Sequence, residues 1–150
     1  MKLSKFCEEN LVTFDLKATT KGEAIEQLVD LAAASSMIKD REQLLKDVKE
    51  REELVTTGVG YGVAFPHAKT RSVKGIVIAF GRSADGVEFD AMDHQAVHLF
   101  FLIAAPEDAI GAHLNVMARL SYLMKSEENR EKLLVATSPG DVLALIDKVD

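Results

Sequence analysis

The sequence is poor in cysteine and lacks both a long apolar run and an excess of positive charge. Cys7 is the only cysteine among 150 residues, so no disulfide can form within the chain, and a reducing compartment is expected. The longest apolar run, Leu99 to Ala105, is far shorter than the ~20 residues that span a bilayer. The first ten residues lack the apolar stretch of a signal peptide. We therefore expect a cytoplasmic protein.

The charge balance is acidic. The chain has 18 Lys and Arg residues against 24 Asp and Glu residues, which gives a formal net charge of −6. Because binding to nucleic-acid phosphates requires a basic surface, this balance disfavours a nucleic-acid partner. It is compatible with a basic protein partner but does not indicate one by itself.

Five stretches of the sequence predict α-helices. Four follow residue types that commonly cap a helix N-terminus. These capping residues are Thr20, Asp40, Ser126 and Ser138. The last predicted helix starts at Pro139 and reaches about Val149. The remaining one covers Ile110 to Met124 and carries several apolar residues, Leu114 among them.

The stretches between the predicted helices include apolar runs that favour strands. The predicted strands are Leu11 to Phe14, Val63 to Phe65, Gly75 to Gly81 and Val97 to Ala105, with Asp85-Gly86 as a turn between strand-like pieces. The last two runs do not alternate polar with apolar residues, which is typical of strands covered on both faces. Alternation of strands and helices therefore predicts one α/β domain, with a sheet between helices.

A glycine-rich segment leads to a histidine, in the order TGVGYGVAFPH. Glycines at every second position permit backbone conformations with positive φ, and successive N–H groups in such a loop can form an anion-binding nest. The residues of this nest would be Thr57, Gly58, Gly60 and Gly62. An ordinary turn is the alternative interpretation. The pattern is neither a dinucleotide fingerprint nor a P-loop, because it feeds a strand and no Gly-Lys-Ser/Thr follows.

His67 follows this segment directly and comes after Pro66, which fixes φ and sets the direction of the next side chain. It is either a catalytic group or a solvated loop residue. Arg51 lies at the end of a charged helix just before the glycines. Its guanidinium is either solvated or available to bind phosphate oxygens as a fork.

The other three histidines have less distinctive surroundings. His113 lies near the start of a predicted helix, where the positive helix end favours a neutral imidazole. It would either donate an N–H to an oxyanion or face water. His94 and His98 are four residues apart, but on a strand that separation is ~13 Å, so no metal site is expected. We expect His98 to be partly buried at the start of a strand.

The segment Thr56–Thr70, TTGVGYGVAFPHAKT, resembles the phosphorylation-site segment of enzyme IIA domains of the fructose/mannitol class (type 2) in sugar phosphotransferase systems. Arg51-Glu52 resembles the arginine that precedes this segment in the family, and His98–Ser121 resembles the strand and helix that carry a second site histidine. Phe65 and Ala68 are mild departures from the motif. The resemblance covers essentially residues 1–150, as one domain.

The resemblance implies a mixed central β-sheet flanked by helices on both faces. It also implies that His67 is phosphorylated and that His113 and Arg51 assist. The phosphoryl donor would be the phosphocarrier protein HPr and the acceptor a cysteine of enzyme IIB, which acts with the membrane enzyme IIC. No organic cofactor or metal is implied, and the fructose-specific branch is the most similar.

Two other functions remain open at this point. A IIA-type domain can act as a phosphorylation sensor of the nitrogen-regulatory kind, using the same His67. A metal-dependent hydrolase built from the four histidines is a weaker alternative. An apolar rim that includes Val59 and Phe65 would dock protein partners in the first two cases, although these side chains would equally suit a core.

Overall fold

The computed structural model describes residues 2–148. The strands are β1 (Val12–Thr13), β2 (Gly58–Gly60), β3 (Val63–Ala64), β4 (His67–Thr70), β5 (Val77–Val87) and β6 (Val97–Pro106). The α-helices are α1 (Lys21–Ala32), α2 (Arg41–Leu54), α3 (Ile110–Met124), α4 (Glu127–Val135) and α5 (Pro139–Ile146). Within these residues no helix combines the length and apolar character needed to cross a membrane.

The strands form one mixed sheet with β6 in its middle. β5 pairs antiparallel with one side of β6, and β1 pairs parallel with β5 at the sheet edge. β3 and β4 both pair parallel with the other side of β6, and β2 pairs antiparallel with β3. The mixed sheet implied by the resemblance is therefore confirmed.

Pro66 divides what would otherwise be one strand along β6. Ala64 lies opposite Phe100 and His67 lies opposite Ile103, so the register is the same on both sides of the proline. Pro66 has no N–H to donate, but its carbonyl oxygen accepts from the Ile103 N–H at 3.0 Å. The sequence pattern predicted a strand that ends at Phe65 and gave no indication of β4, the strand that carries His67.

Both faces of the sheet are buried. The side chains from Leu99 to Ala105 in β6 are at most 1% exposed, although successive side chains point to opposite faces. Helices α1, α2 and α4 pack on β5, β4 and β6 respectively. Phe65 belongs to this core, since it is 2% exposed and stacks on Phe101 with ring centroids 5.9 Å apart. The expected cover of helices on both faces is confirmed.

The predicted helix caps are confirmed, because Thr20, Asp40, Ser126 and Ser138 each accept a backbone N–H three residues later. The predicted turn at Asp85-Gly86 is wrong. Both residues lie within β5, where the register shifts between Arg82 and Val87. Gly86 has φ of 86°, and a Cβ there would lie 2.9 Å from Ala96 Cβ, so the glycine allows a bulge rather than a hairpin.

The last predicted helix ends at Ile146, and Val149 lies outside the described residues. The lone cysteine, Cys7, is 1% exposed, and burial raises the pKa of its thiol to about 12. Cys7 therefore behaves as a small buried apolar residue.

Candidate active site

Three separate elements bring His67, His113 and Arg51 to one open cavity of about 680 Å³. His67 is the first residue of β4, directly after the proline. His113 lies in the first turn of α3, which begins shortly after β6 ends. Arg51 lies in the last turn of α2, which packs on β4. The three residues that the sequence singled out for phosphate chemistry are therefore neighbours in space.

The His67 ring is held in one tautomer. Its Nδ1 lies 2.9 Å from the carbonyl oxygen of Phe65. A carbonyl oxygen only accepts hydrogen bonds, so Nδ1 carries the proton in the neutral ring. The lone pair is then on Nε2, which is the nitrogen able to act as a nucleophile.

The charges around His67 favour the neutral ring. Burial lowers the pKa of His67 below its ordinary value, and the positive charges of Arg51 and Lys69 lower it further. The Phe65 carbonyl and the Glu52 carboxylate act in the opposite direction without cancelling the effect. At pH 7 the imidazole is therefore mainly unprotonated on Nε2.

His113 is 5% exposed, and its ring centroid lies 5.4 Å from that of His67. Its pKa is lowered to about 4, with burial as the main cause and the charges of His67 and Lys69 as further causes. The sequence analysis predicted a neutral ring but attributed it to the helix end. Within residues 2–148, the buried Nε2 of His113 has no hydrogen-bond partner. An unpartnered buried ring nitrogen next to His67 is available to a group bound there.

The Arg51 guanidinium is fixed by its own helix end. Its Nη1 donates to the carbonyl oxygen of Val55, the residue that follows α2, at 3.0 Å. The next residue, Glu52, is buried and accepts from the Thr57 N–H at 2.7 Å and from Lys21 Nζ at 2.9 Å. Glu52 therefore anchors the turn that follows Arg51.

Sequence reasoning gave no structural role to Glu52 or Lys69. A signal existed for each. A carboxylate directly beside a candidate phosphate-binding arginine needs a cation or N–H groups of its own, and Lys69 is two residues after His67, on the same side of any strand.

The four residues predicted for the phosphate-binding nest, Thr57, Gly58, Gly60 and Gly62, are not in the lining of the His67 cavity, so their role in binding phosphate stays a prediction. The Thr57 N–H is bonded to Glu52, and the Gly58 N–H is bonded to Thr56 Oγ1. Gly60 lies against Asp93, and Gly62 lies near His98. Gly60 and Gly62, on either side of Tyr61 where β2 turns into β3, adopt positive φ angles of 102° and 76°, which glycine permits.

The other predicted candidates lie elsewhere. His98 is half-buried at the second position of β6, as predicted, and its Nδ1 lies 2.9 Å from the Ser83 carbonyl oxygen. Within residues 2–148 no three His, Cys, Asp or Glu side chains are grouped so as to hold a metal ion. Val59 is 45% exposed, whereas Phe65 is core, so the predicted rim does not include Phe65.

Comparison with known families identifies the family of the chain. Residues 5–149 match the family model described as the phosphoenolpyruvate-dependent sugar phosphotransferase system, EIIA 2. The chain belongs to this EIIA 2 family. Family members act in phosphoryl transfer, so a phosphocarrier role at a general level follows from membership.

Two relatives show how the EIIA 2 unit occurs. The fructose-specific EIIA component of Haloferax volcanii is 41% identical over 139 residues, which cover 93% of this chain and 90% of that protein. The fructose-specific EIIABC component of Bacillus subtilis is 37% identical over 150 residues, which cover 100% of this chain but 24% of that protein. The chain thus spans about a quarter of the second relative and most of the first.

Solved structures share the fold. The nitrogen regulatory protein IIA-Ntr from Neisseria meningitidis superposes with a TM-score of 0.89 at 30% identity, over 96% of this chain and 98% of that one. The mannitol enzyme IIA in its complex with phosphorylated enzyme IIB from Escherichia coli superposes with a TM-score of 0.78 at 26% identity, over 93% and 97% of the two chains.

Proposed function

We propose that this chain, residues 1–150, is a phosphocarrier domain in which Nε2 of His67 accepts a phosphoryl group from phosphohistidine of HPr and passes it to a cysteine of an enzyme IIB. The observation that carries the proposal is the bond between His67 Nδ1 and the Phe65 carbonyl oxygen, because it leaves an unprotonated Nε2 at an open cavity beside Arg51. The proposed sugar system is of the fructose type, which the identity to fructose-specific EIIA proteins supports.

The chemistry balances without a proton donor in the transfer itself. The Nε2 lone pair forms the new N–P bond as the N–P bond of the donor histidine breaks, and the donor imidazole keeps that electron pair. In the next step the thiolate of the enzyme IIB cysteine forms an S–P bond, and the His67 imidazole leaves with the electron pair of its N–P bond. Both transfers are expected to be in line, with charge on three equatorial oxygens.

Arg51 and His113 would stabilise that charge. A guanidinium offers a planar fork that fits two phosphoryl oxygens. The His113 ring is neutral at pH 7 and carries one N–H, so it can donate to an oxygen without a positive charge that would hold the phosphoryl group too tightly. The buried, unpartnered Nε2 of His113 supports this role.

A protein donor and a protein acceptor require an accessible site with an apolar rim. Leu54 and Leu114 line the cavity and are 77% and 63% exposed. Their exposure supports docking of HPr and of enzyme IIB in turn, as small transient interfaces. The Escherichia coli complex of a IIA with a phosphorylated IIB supports the second partner by analogy, and enzyme IIB would then serve the membrane enzyme IIC.

A regulatory role is the second candidate. Its support is the TM-score of 0.89 to the Neisseria meningitidis nitrogen regulatory protein, at 30% identity. In that case His67 would still be phosphorylated, but the phosphorylation state would be read by a regulated protein rather than discharged to a sugar.

Reconstitution with enzyme I, HPr and labelled phosphoenolpyruvate, followed by purified fructose-type and mannitol-type IIB domains, tests the proposal. We expect labelling of this chain and rapid discharge to the fructose-type IIB. Labelling without discharge to any IIB would favour the regulatory role, and a chain that takes no label would contradict both.

A further inference from the structure

Lys69 lies beside His67 on the same side of β4. The side chains of the strand alternate, so residues 67 and 69 share a face and their Cα atoms are about 6.6 Å apart. Both side chains line the same cavity, to which the buried Ala68 between them also contributes, and Lys69 is exposed. The strand geometry alone therefore aims an ammonium group toward the space in front of the His67 ring.

The carboxylates around this cavity already have partners. Asp47 accepts from Thr70 Oγ1 at 2.5 Å and from Gln43 Nε2 at 2.9 Å. Glu107 is paired with Arg71 at 3.0 Å, and Glu50 lies 3.9 Å from Lys46 Nζ. None of these acids pairs with Lys69.

The Lys69 ammonium is correspondingly uncommitted. Within the described part of the chain it has no ion pair and no hydrogen bond. Arg51, the other cation of the cavity, donates to a neutral carbonyl and to no carboxylate. Among residues 2–148, the cavity thus presents two cations that form no direct ion pair with a carboxylate, so both are available to contact a doubly charged phosphoryl group.

We propose that Lys69 contacts the phosphoryl group on His67, as a second cation opposite Arg51, during both its arrival and its departure. This inference rests on the proposed function of His67. The ammonium is a flexible point charge, whereas the Arg51 guanidinium is a fixed fork. Lys69 would therefore follow the phosphorus as it moves between the donor, His67 and the acceptor.

The electrostatics of the two rings are consistent with this placement of Lys69. The charge of Lys69 lowers the pKa of His67 and that of His113. It therefore acts on both imidazoles that border the phosphoryl position.

A partner-free assay separates phosphoryl contact from protein docking. Phosphoramidate phosphorylates imidazoles directly, with formation of the Nε2–P bond and loss of ammonia. The variants are Lys69→Gln, Lys69→Arg and the control Lys74→Gln, which removes the same charge from an exposed residue that does not line the cavity. Labelling of His67 is followed by ³¹P NMR, with His67→Ala as the blank.

We expect Lys69→Gln to label about tenfold more slowly than the wild type, Lys69→Arg to stay within about threefold and Lys74→Gln to match the wild type. The wild-type advantage over Lys69→Gln should shrink as ionic strength rises, because salt screens exposed charges. Both imidazole pKa values should rise in Lys69→Gln, as ¹H–¹⁵N NMR titration would record.

Two results overturn the role of Lys69 while leaving His67 in place: equal labelling rates for Lys69→Gln and Lys74→Gln, or a loss in Lys69→Arg as large as in Lys69→Gln. A slower rate from HPr with an unchanged rate from phosphoramidate also overturns it, because Lys69 would then serve docking. A wild type that phosphoramidate never labels on His67 would instead overturn the proposed function and this inference together.

Discussion

His67 and His98 are held in the same way but lie in different surroundings. Each is half-buried at the beginning of a strand, and each has Nδ1 at 2.9 Å from a backbone carbonyl oxygen, that of Phe65 or that of Ser83. Both rings therefore have the same tautomer when neutral, with the lone pair on Nε2. Tautomer control alone does not distinguish the candidate site from the rest of the molecule.

The charges around the two rings do distinguish them. His98 borders a cavity of about 230 Å³ with two carboxylates, Glu127 and Glu131. The cation in that cavity, Arg130, donates to the Met124 carbonyl oxygen at 2.6 Å, much as Arg51 donates to Val55, but its guanidinium also lies over the Tyr61 ring. His67 instead borders Arg51 and Lys69, with the nearby acids engaged elsewhere. The His67 cavity thus brings two cations to its ring, and one of them, Lys69, has no hydrogen bond or ion pair among residues 2–148, whereas Arg130 is the one cation in the lining of the His98 cavity.

The largest expected effect is the loss of phosphoryl labelling when His67 is replaced, whereas replacement of His98 should leave labelling unchanged. His67→Ala should abolish labelling from phospho-HPr, because the other imidazole of the cavity, His113, is only 5% exposed and lies too deep to take the place of the half-buried His67 ring. His98→Gln should keep wild-type labelling, since its amide can still donate to Ser83. The comparison fails if His67→Ala retains label or if His98→Gln loses it.

The next largest effect on the labelling rate is expected from replacement of Arg51. Arg51→Gln should slow labelling of His67 about 100-fold, as expected for loss of a preorganised charge at the transferring group. Arg41→Gln is the matched control on the same helix, because Arg41 pairs with Asp30 at the surface, away from the cavity. Initial rates with labelled phosphoenolpyruvate, enzyme I and HPr would measure both. Equal rates in the two variants would show that the fork has no part in transfer.

A smaller effect is expected from the second imidazole. His113→Gln should accept phosphate from HPr within about threefold of the wild type but discharge it to enzyme IIB about tenfold more slowly, because one hydrogen-bond donor to the oxygens is altered. Rapid-quench measurements on preloaded protein would separate the two steps. Discharge at the wild-type rate would remove His113 from the mechanism.

The smallest effect is one of stability. The folded pKa of His113 is about 4, below the ordinary 6.5, so the unfolded chain binds a proton first as pH falls. The His113 contribution is full above pH 6.5 and declines toward pH 4, with a loss of about 1 kcal/mol between pH 7 and pH 5.5. Urea unfolding of the wild type and His113→Gln at both pH values would measure it. The same pH dependence in both proteins would show that the ring is not desolvated.

Local signals allowed much of this arrangement to be predicted. The capping side chains marked four helix starts, and the run Leu99–Ala105 indicated a strand buried on both faces. The resemblance carried by the motif around His67 predicted that His67, His113 and Arg51 belong to one site. These features depend on residues that are close together in the sequence, so the sequence pattern alone predicts them.

The rest depends on contacts between distant segments. Strand β4 is only four residues long and follows a proline, so its existence depends on pairing with β6. Gly86 has the sequence context of a hairpin turn, but close packing against Ala96 and His98 makes it a bulge. The Thr57 and Gly58 N–H groups, by contrast, bind partners that are near in the chain, Glu52 and Thr56, but the sequence pattern does not show which way those two side chains point.

The most direct test of the account is the identity of the phosphorylated atom. After labelling from phospho-HPr, ¹⁵N-labelled protein should show one histidine ring nitrogen coupled to ³¹P, and it should be Nε2 of His67, because Nδ1 is held by the Phe65 carbonyl. Coupling at His67 Nδ1, or at His98 or His113, would contradict the account.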